Sequence, residues 1–216
     1  MLRAILFDCD GVIADTEPVH FELFRQVLAV EGIEMPEKEY YAVYVGMTDK
    51  ECFEAVFEKN RKPLDEAKLV SIMRKKHELF TKVLPQKLVG YSATLGLIEE
   101  ARGKVEMGVV SGALREEIEL ILMSLNISDA FKTIISAEDV PHGKPDPGGY
   151  LLGLQRLSVK ASEAVGIEDT PAGIQAIKGA GMRAIGIANI FNKVQLARAD
   201  LVFEKGQKIS LESLTN

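Results

Sequence analysis

Residues 1–18 read MLRAILFDCDGVIADTEP, and the fold turns on what Ala4-Ile5-Leu6-Phe7, followed at once by acids, is doing. Four consecutive apolar residues bounded by a loop fit a strand buried on both faces. Beyond them come Asp8, Asp10 and Asp15. Ionised carboxylates at the mouth of a buried strand are costly unless they are paired, hydrogen-bonded or bound to a metal. Either these are solvated turn acids, as is common at strand ends, or they serve a site. Gly11 gives the backbone the freedom to turn out of the sheet after them.

Outward from this stretch the pattern changes twice. From Thr16 to residue 83 no strand pattern stands out. Phe21, Phe24, Val27 and Leu28 sit at helical spacing, as do Phe53, Val56 and Phe57, then Leu69, Ile72 and Met73. Pro36 and Pro63 punctuate this block. After Pro85, short apolar strands expected at 105–110, 133–135, 164–167, 184–187 and 201–203 alternate with helices near 93–103, 114–125, 147–157 and 171–180. Pro171 suits a first helical turn and Gly181 a helix end. Such alternation predicts an α/β fold: a Rossmann-like parallel sheet core with helices on both faces. The expected core is 1–15 with 84–216, and residues 16–83 form an all-helical cap domain inserted after the first strand.

The bulk properties narrow the function. The chain has 216 residues, 47% hydrophobic and 27% charged, an ordinary globular composition for a core with a small insert. Its net charge of -6 offers no basic footprint for nucleic acid, and Arg74-Lys75-Lys76 is too short a run to make one. No stretch is long and apolar enough to read as a bilayer span. The apolar start, broken by Asp8 and Asp10, does not follow a signal-peptide pattern. Cys9 and Cys52 are far apart and form neither CxxC nor zinc-site spacing; Cys9 reads as a small buried spacer. The expectation is a cytoplasmic monomer with no nucleic-acid or membrane partner.

In open α/β sheets, ligands bind at the carboxyl ends of the strands, so the residues just past each strand matter. Strand one delivers Asp8 and Asp10. The 105–110 strand leads to Ser111-Gly112, and the 133–135 strand toward Gly143-Lys144-Pro145. The 164–167 strand ends at Glu168-Asp169-Thr170. Four carboxylates at one edge raise one another's pKa unless a cation intervenes. No arginine cluster accompanies them, so a divalent metal is the natural neutraliser, and oxygen-only ligation suits Mg2+. Lys144 and Ser111 add donors for an anion. A hard cation, a lysine and a hydroxyl around a spare carboxylate describe a phosphoryl-transfer site. A P-loop does not fit, because Pro145 follows Gly143-Lys144 where a Ser or Thr is needed.

Asp8-Cys9-Asp10-Gly11-Val12, extended by Asp15-Thr16-Glu17, resembles the first signature of the haloacid dehalogenase-like superfamily. Val110-Ser111-Gly112, Gly143-Lys144-Pro145 and Glu168-Asp169-Thr170-Pro171-Ala172-Gly173 resemble the second, third and fourth, in order. The helical insert resembles the cap of the β-phosphoglucomutase and sugar-phosphate phosphatase branch. The resemblance implies Asp8 as nucleophile and Asp10 as general acid and base. It implies magnesium on Asp8, the Asp10 carbonyl and Asp169, with Glu168 in or beside that shell. Ser111, Gly112 and Lys144 would bind the phosphoryl group, and His20 and Lys76 match cap positions that contact substrate. The implied activity is a magnesium-dependent phosphatase acting on a small phosphorylated metabolite, a sugar phosphate, through an aspartyl-phosphate.

The chain departs from the pattern in two places. Gly148 stands where the third motif usually carries an acid, leaving Asp146 as its substitute. Gly46-Met47-Thr48-Asp49 lacks the arginine by which the mutase branch holds a second phosphate, which favours a phosphatase. A β-phosphoglucomutase is the alternative, and a non-catalytic phospholigand-binding module ranks below it. Each motif also has a plain structural reading. Ser111 would cap a helix ahead of Glu116 and Glu117. Glu168 and Asp169 would charge a helix N-terminus. Lys144 would be a turn lysine, His20 a packing or capping residue of a cap helix, and Lys76 part of a solvated face.

Overall fold

A computed structural model of the chain describes residues 1–215. It divides into two compact units, Met1–Asp15 with Val89–Asn216 and Thr16–Leu88. The first is α/β. Its strands are β1 (Ala4–Phe7), β2 (Glu106–Val110), β3 (Thr133–Ile135), β4 (Ala164–Glu168), β5 (Arg183–Ala188) and β6 (Leu201–Glu204). They form one sheet in the order β3-β2-β1-β4-β5-β6, and every pairing is parallel. The order reverses direction between β1 and β4, so a crevice opens beyond the ends of those two strands.

The apolar run that opens the chain explains its central place. Side chains alternate across a strand. Ala4 and Leu6 join a core layer with Tyr150, Leu154 and Leu157 of the helix Gly148–Leu157 and Ile174 and Ile177 of the helix Pro171–Gly179. Ile5 and Phe7 point the other way and are just as fully buried, so both faces of β1 are covered. Burying four such side chains contributes on the order of 1.5–3 kcal/mol each, which is why a strand this short suffices.

The second unit is all helical. It contains α1 (Glu17–Val30), the single turn α2 (Glu37–Glu39) running into a π-helical turn at Tyr40–Tyr44, α3 (Asp49–Lys59) and α4 (Glu66–Lys87). Phe24, Val27 and Leu28 of α1 pack with Phe53, Val56 and Phe57 of α3 and Leu69 and Ile72 of α4, the residues whose spacing gave the helices away. A Thr48–Glu51 capping box starts α3, and the Asp65 carboxylate accepting the Lys68 amide starts α4.

Pro85 lies inside α4, which runs to Lys87, and the chain returns to the α/β unit at Val89 rather than residue 84. A proline this near a helix end removes only one ladder hydrogen bond. Fully buried Phe80 and Leu84 hold the final turns, and Leu88 still donates to the Leu84 carbonyl. The α/β unit continues with α5 (Ser92–Ala101), α6 (Arg115–Ser124), α7 (Gly148–Leu157), α8 (Pro171–Gly179) and α9 (Leu211–Thr215). Among the described residues no helix is long and apolar enough to cross a membrane.

The three-residue edge strand β3 is tied down electrostatically. Arg115 and Arg156 each donate to the Ile134 carbonyl and to Asp139 beyond the strand end. Burial pushes the Asp139 carboxyl up, but the Ser136 amide and hydroxyl and the two arginines outweigh it and bring it down to about 2 from 3.8. A depressed folded pKa stabilises above the unfolded value, and that contribution is lost as pH falls through the folded one. Asp139→Asn is therefore expected to cost about 1 kcal/mol at neutral pH, allowing for solvent screening. In urea titrations the gap from the parent should hold above pH 5 and close between pH 4 and pH 2. A gap that persists at pH 2 would contradict this account.

Candidate active site

Four strand ends of the α/β unit converge. Asp8 follows β1, and its amide extends the ladder to the Ile167 carbonyl of β4 at 2.9 Å. Ser111 follows β2, Lys144 sits in the segment after β3, and Glu168 and Asp169 end β4. Lys144 Nζ lies 2.7 Å from Asp8 Oδ1 and 2.5 Å from Glu168 Oε1. Ser111 Oγ donates to Asp10 Oδ2 at 3.2 Å and accepts the Ala113 amide at 3.0 Å.

Glu168 has its oxygens taken by protein donors. Oε2 accepts the amides of Asp169 and Thr170 at 2.9 Å and the Thr170 hydroxyl at 3.0 Å. Oε1 accepts Lys144 and lies 3.5 Å from the Tyr150 hydroxyl. These amides lie just ahead of α8, whose N-cap Thr170 also accepts the Gly173 amide. The carboxylate thus sits at the positive end of a helix, and any Cβ on Gly173 would collide with it. Glu168 holds Lys144 and the Asp169 loop in place.

Asp8, Glu168 and Asp169 are all buried, and each offers an oxygen within 4.8 Å of the others. Asp169 packs against Gly11, where φ is 79° and a Cβ would run into the carboxylate. Only glycine meets both demands. Three buried carboxylates face one ammonium, a deficit that one divalent cation would balance. Burial drives the Asp8 carboxyl well above its ordinary pKa; Lys144 opposes this, and Glu168 and Asp10 add to it. Burial works against the Lys144 charge, but Asp8 and Glu168 overcome it and hold the ammonium firmly protonated. The donor set is all oxygen, as magnesium prefers. Asp8, Glu168 and Asp169 together form a group that could hold a cation, and Glu168 is the one of them already engaged by backbone amides. The Asp10 carboxylate turns to Ser111.

Several plain readings of these residues fall away. Ser111 does not cap α6: Leu114 is the N-cap residue, and Glu138 accepts the Arg115 amide. Lys144 is no solvated turn lysine. Asp146 accepts the Gly148 amide at the start of α7. Gly112 lies exposed in the turn after β2. Burial raises the pKa of the Cys9 thiol well above its usual range, so it serves as a packing residue.

In the helical unit, Lys76 is wholly buried rather than part of a solvated face. It bonds His20 Nδ1 at 2.9 Å and Asp49 Oδ1 at 2.5 Å, with Phe24 4.4 Å from its ammonium and Phe80 stacked on His20. Its neighbours Arg74 and Lys75 stay exposed because successive helical residues are turned about 100° apart. Sequence reading paired neither Asp49 with Lys76 nor Glu17 with the Tyr40 hydroxyl, 2.6 Å apart. In the α/β unit it also passed over Tyr150, whose ring lies 5.6 Å from Lys144 Nζ, and Asn189. Asn189 directly follows β5, so the strand-end test extended to that strand would have found it.

The family model described as haloacid dehalogenase-like hydrolase matches residues 5–187. The chain is 32% identical over 188 residues to the fructose-1-phosphate phosphatase YqaB of Escherichia coli, covering 85% of this chain and 95% of that one. It is 30% identical over 220 residues to the β-phosphoglucomutase of Bacillus subtilis, covering 99% and 94%. Among solved structures, CbbY from Rhodobacter sphaeroides in complex with phosphate superposes with a TM-score of 0.91 at 26% identity over 100% of both chains.

Proposed function

The chain belongs to the haloacid dehalogenase-like hydrolases, and on that premise we propose that it is a magnesium-dependent phosphatase of a small phosphorylated metabolite, a sugar phosphate. The observation that carries this reading is Asp8, held by Lys144 beside Glu168 and Asp169, with Asp10 held by Ser111 two residues further on.

In the first half-reaction an Asp8 oxygen attacks phosphorus, the ester P–O bond breaks, and Asp10 gives its proton to the leaving oxygen. The product is an aspartyl-phosphate on Asp8. In the second, water attacks phosphorus, Asp10 takes the water's proton, and the bond to Asp8 breaks to release phosphate. Lys144, Ser111 and the Gly112 amide hold the phosphoryl oxygens and offset the charge that builds on them. Magnesium on Asp8, Asp169 and the Asp10 carbonyl would supply the remaining neutralisation. The Ser111–Asp10 bond supports this division of labour, since it keeps the acid apart from the Asp8–Lys144 pair.

A mutase is the second reading, favoured by similarity to a β-phosphoglucomutase along nearly the whole chain. Against it stands the stretch Gly46-Met47-Thr48-Asp49, which lacks the arginine of the mutase branch and whose Asp49 is engaged with Lys76. To separate the two, hexose and ketose phosphates would be incubated with Mg2+, with and without a sugar bisphosphate, while free phosphate and isomerised sugar phosphate are followed together. Phosphate release that disappears with a chelator is expected. Isomerisation that outruns release once bisphosphate is added would overturn the phosphatase reading.

A further inference from the structure

A fifth strand end reaches the loop that carries Asp8 and Asp10. Asn189, one residue beyond β5, donates from its side-chain amide to the Gly11 carbonyl at 2.6 Å. The two residues are 178 positions apart, and Gly11 is buried. The same loop is tied outward at its other residues, by the Asp8 amide on the Ile167 carbonyl, the Ser111 hydroxyl on the Asp10 carboxylate and the Tyr91 amide on the Ile13 carbonyl. The Cys9 carbonyl accepts the amides of Val12, Ile13 and Ala14, and the Gly11 amide donates to the Ala14 carbonyl. The internal bonds close the turn, and the Asn189 amide reaches the Gly11 carbonyl at its tip from the end of β5.

Gly11 is where orientation matters. Its amide belongs to the same peptide as the Asp10 carbonyl, and its α-carbon rests on the Asp169 carboxylate. Rotating the Gly11 peptides would shift the spacing between the Asp10 carbonyl, Asp8 and Asp169. We propose that Asn189 is a positioning residue that fixes the Gly11 carbonyl and thereby sets the three-point oxygen site for the divalent cation. This rests on the magnesium-phosphatase reading of the site. Groups that orient a metal's ligands without touching the metal are typically worth about 10- to 100-fold in affinity or activity.

The experiment measures binding without turnover. Mn2+ would be titrated into the parent chain, Asn189→Asp, Asn189→Ala and Asp169→Asn with no substrate present, free Mn2+ being read by electron paramagnetic resonance. Metal-free melting temperatures would be taken alongside. Asp keeps the shape of Asn but replaces the donor with an acceptor facing the Gly11 carbonyl. Asn189→Asp and Asn189→Ala are expected to bind Mn2+ about tenfold more weakly than the parent while melting within a few degrees of it. Asp169→Asn should lose measurable binding.

Parent-like Mn2+ affinity in the two Asn189 variants overturns the proposal. So does a drop in melting temperature with affinity unchanged in the folded protein, since that marks a purely structural bond. A parent chain that binds no Mn2+ would instead remove the metal reading beneath it.

Discussion

Asp8→Asn is expected to abolish phosphate release, by about 10⁴-fold or more in kcat, as loss of a covalent nucleophile does elsewhere. An amide oxygen is a poor nucleophile, and no other carboxylate stands ready to replace it. Asp10 is turned to Ser111, Glu168 is engaged by three donors on one oxygen and Lys144 on the other, and Asp169 lies against Gly11. Stability should move the opposite way. Asp8 is a buried acid beside Glu168 and Asp10, and its ionisation is opposed first by burial. Removing that charge relieves the metal-free protein, so the variant should melt no lower than the parent without Mg2+. Activity would be followed by phosphate release from a sugar-phosphate panel and stability by thermal denaturation in chelator. Turnover within tenfold of the parent would remove Asp8 as nucleophile.

Lys144→Ala should damage both activity and stability. The ammonium is the cation seen between Asp8 and Glu168. Removing one partner of a buried ionic pair costs about 3–5 kcal/mol, because the other charges are left uncompensated. For a chain of this size each kcal/mol corresponds to roughly 2–4 °C in melting temperature. Loss of a donor aimed at developing charge should cut kcat by about 10²–10³-fold. The two losses should respond differently to metal. A divalent cation can replace the missing charge in the resting protein but not the lost contact to the phosphoryl group. Mg2+ should therefore raise the melting temperature of Lys144→Ala more than that of the parent, with turnover still low. Equal Mg2+ shifts in both proteins would show that lysine and metal do not share the task of balancing these acids.

Much of this protein was legible in its order of residues. Ala4-Ile5-Leu6-Phe7 could form a short strand only if both faces were covered, and the alternation after Pro85 supplied the covering helices. The strand-end rule then gathered Asp8, Asp10, Ser111, Lys144, Glu168 and Asp169, because a parallel sheet delivers every strand's carboxyl end to one edge. Pro85 misled by five residues, since a proline's cost depends on how much helix lies beyond it. Lys76 was expected as a substrate contact of the helical insert, with a solvated face as the plain alternative; its burial against His20 and Asp49 was not visible in the order of residues.

The sequence by itself therefore determined the element types, the parallel sheet and the residue types at its ligand-binding edge. Hydrophobic period and strand-end chemistry are local properties of the chain. The tertiary structure alone decided how the charges are apportioned. It gave Lys144 to Asp8 across 136 positions and Ser111 to Asp10 across 101. It gave Lys76 to Asp49 and Asn189 to the Gly11 carbonyl. Such pairings depend on which side chains are left facing one another once the layers have packed. In a buried site, where an unmatched charge or carbonyl is costly, that apportioning separates the acid proposed to attack from the acid proposed to move the proton.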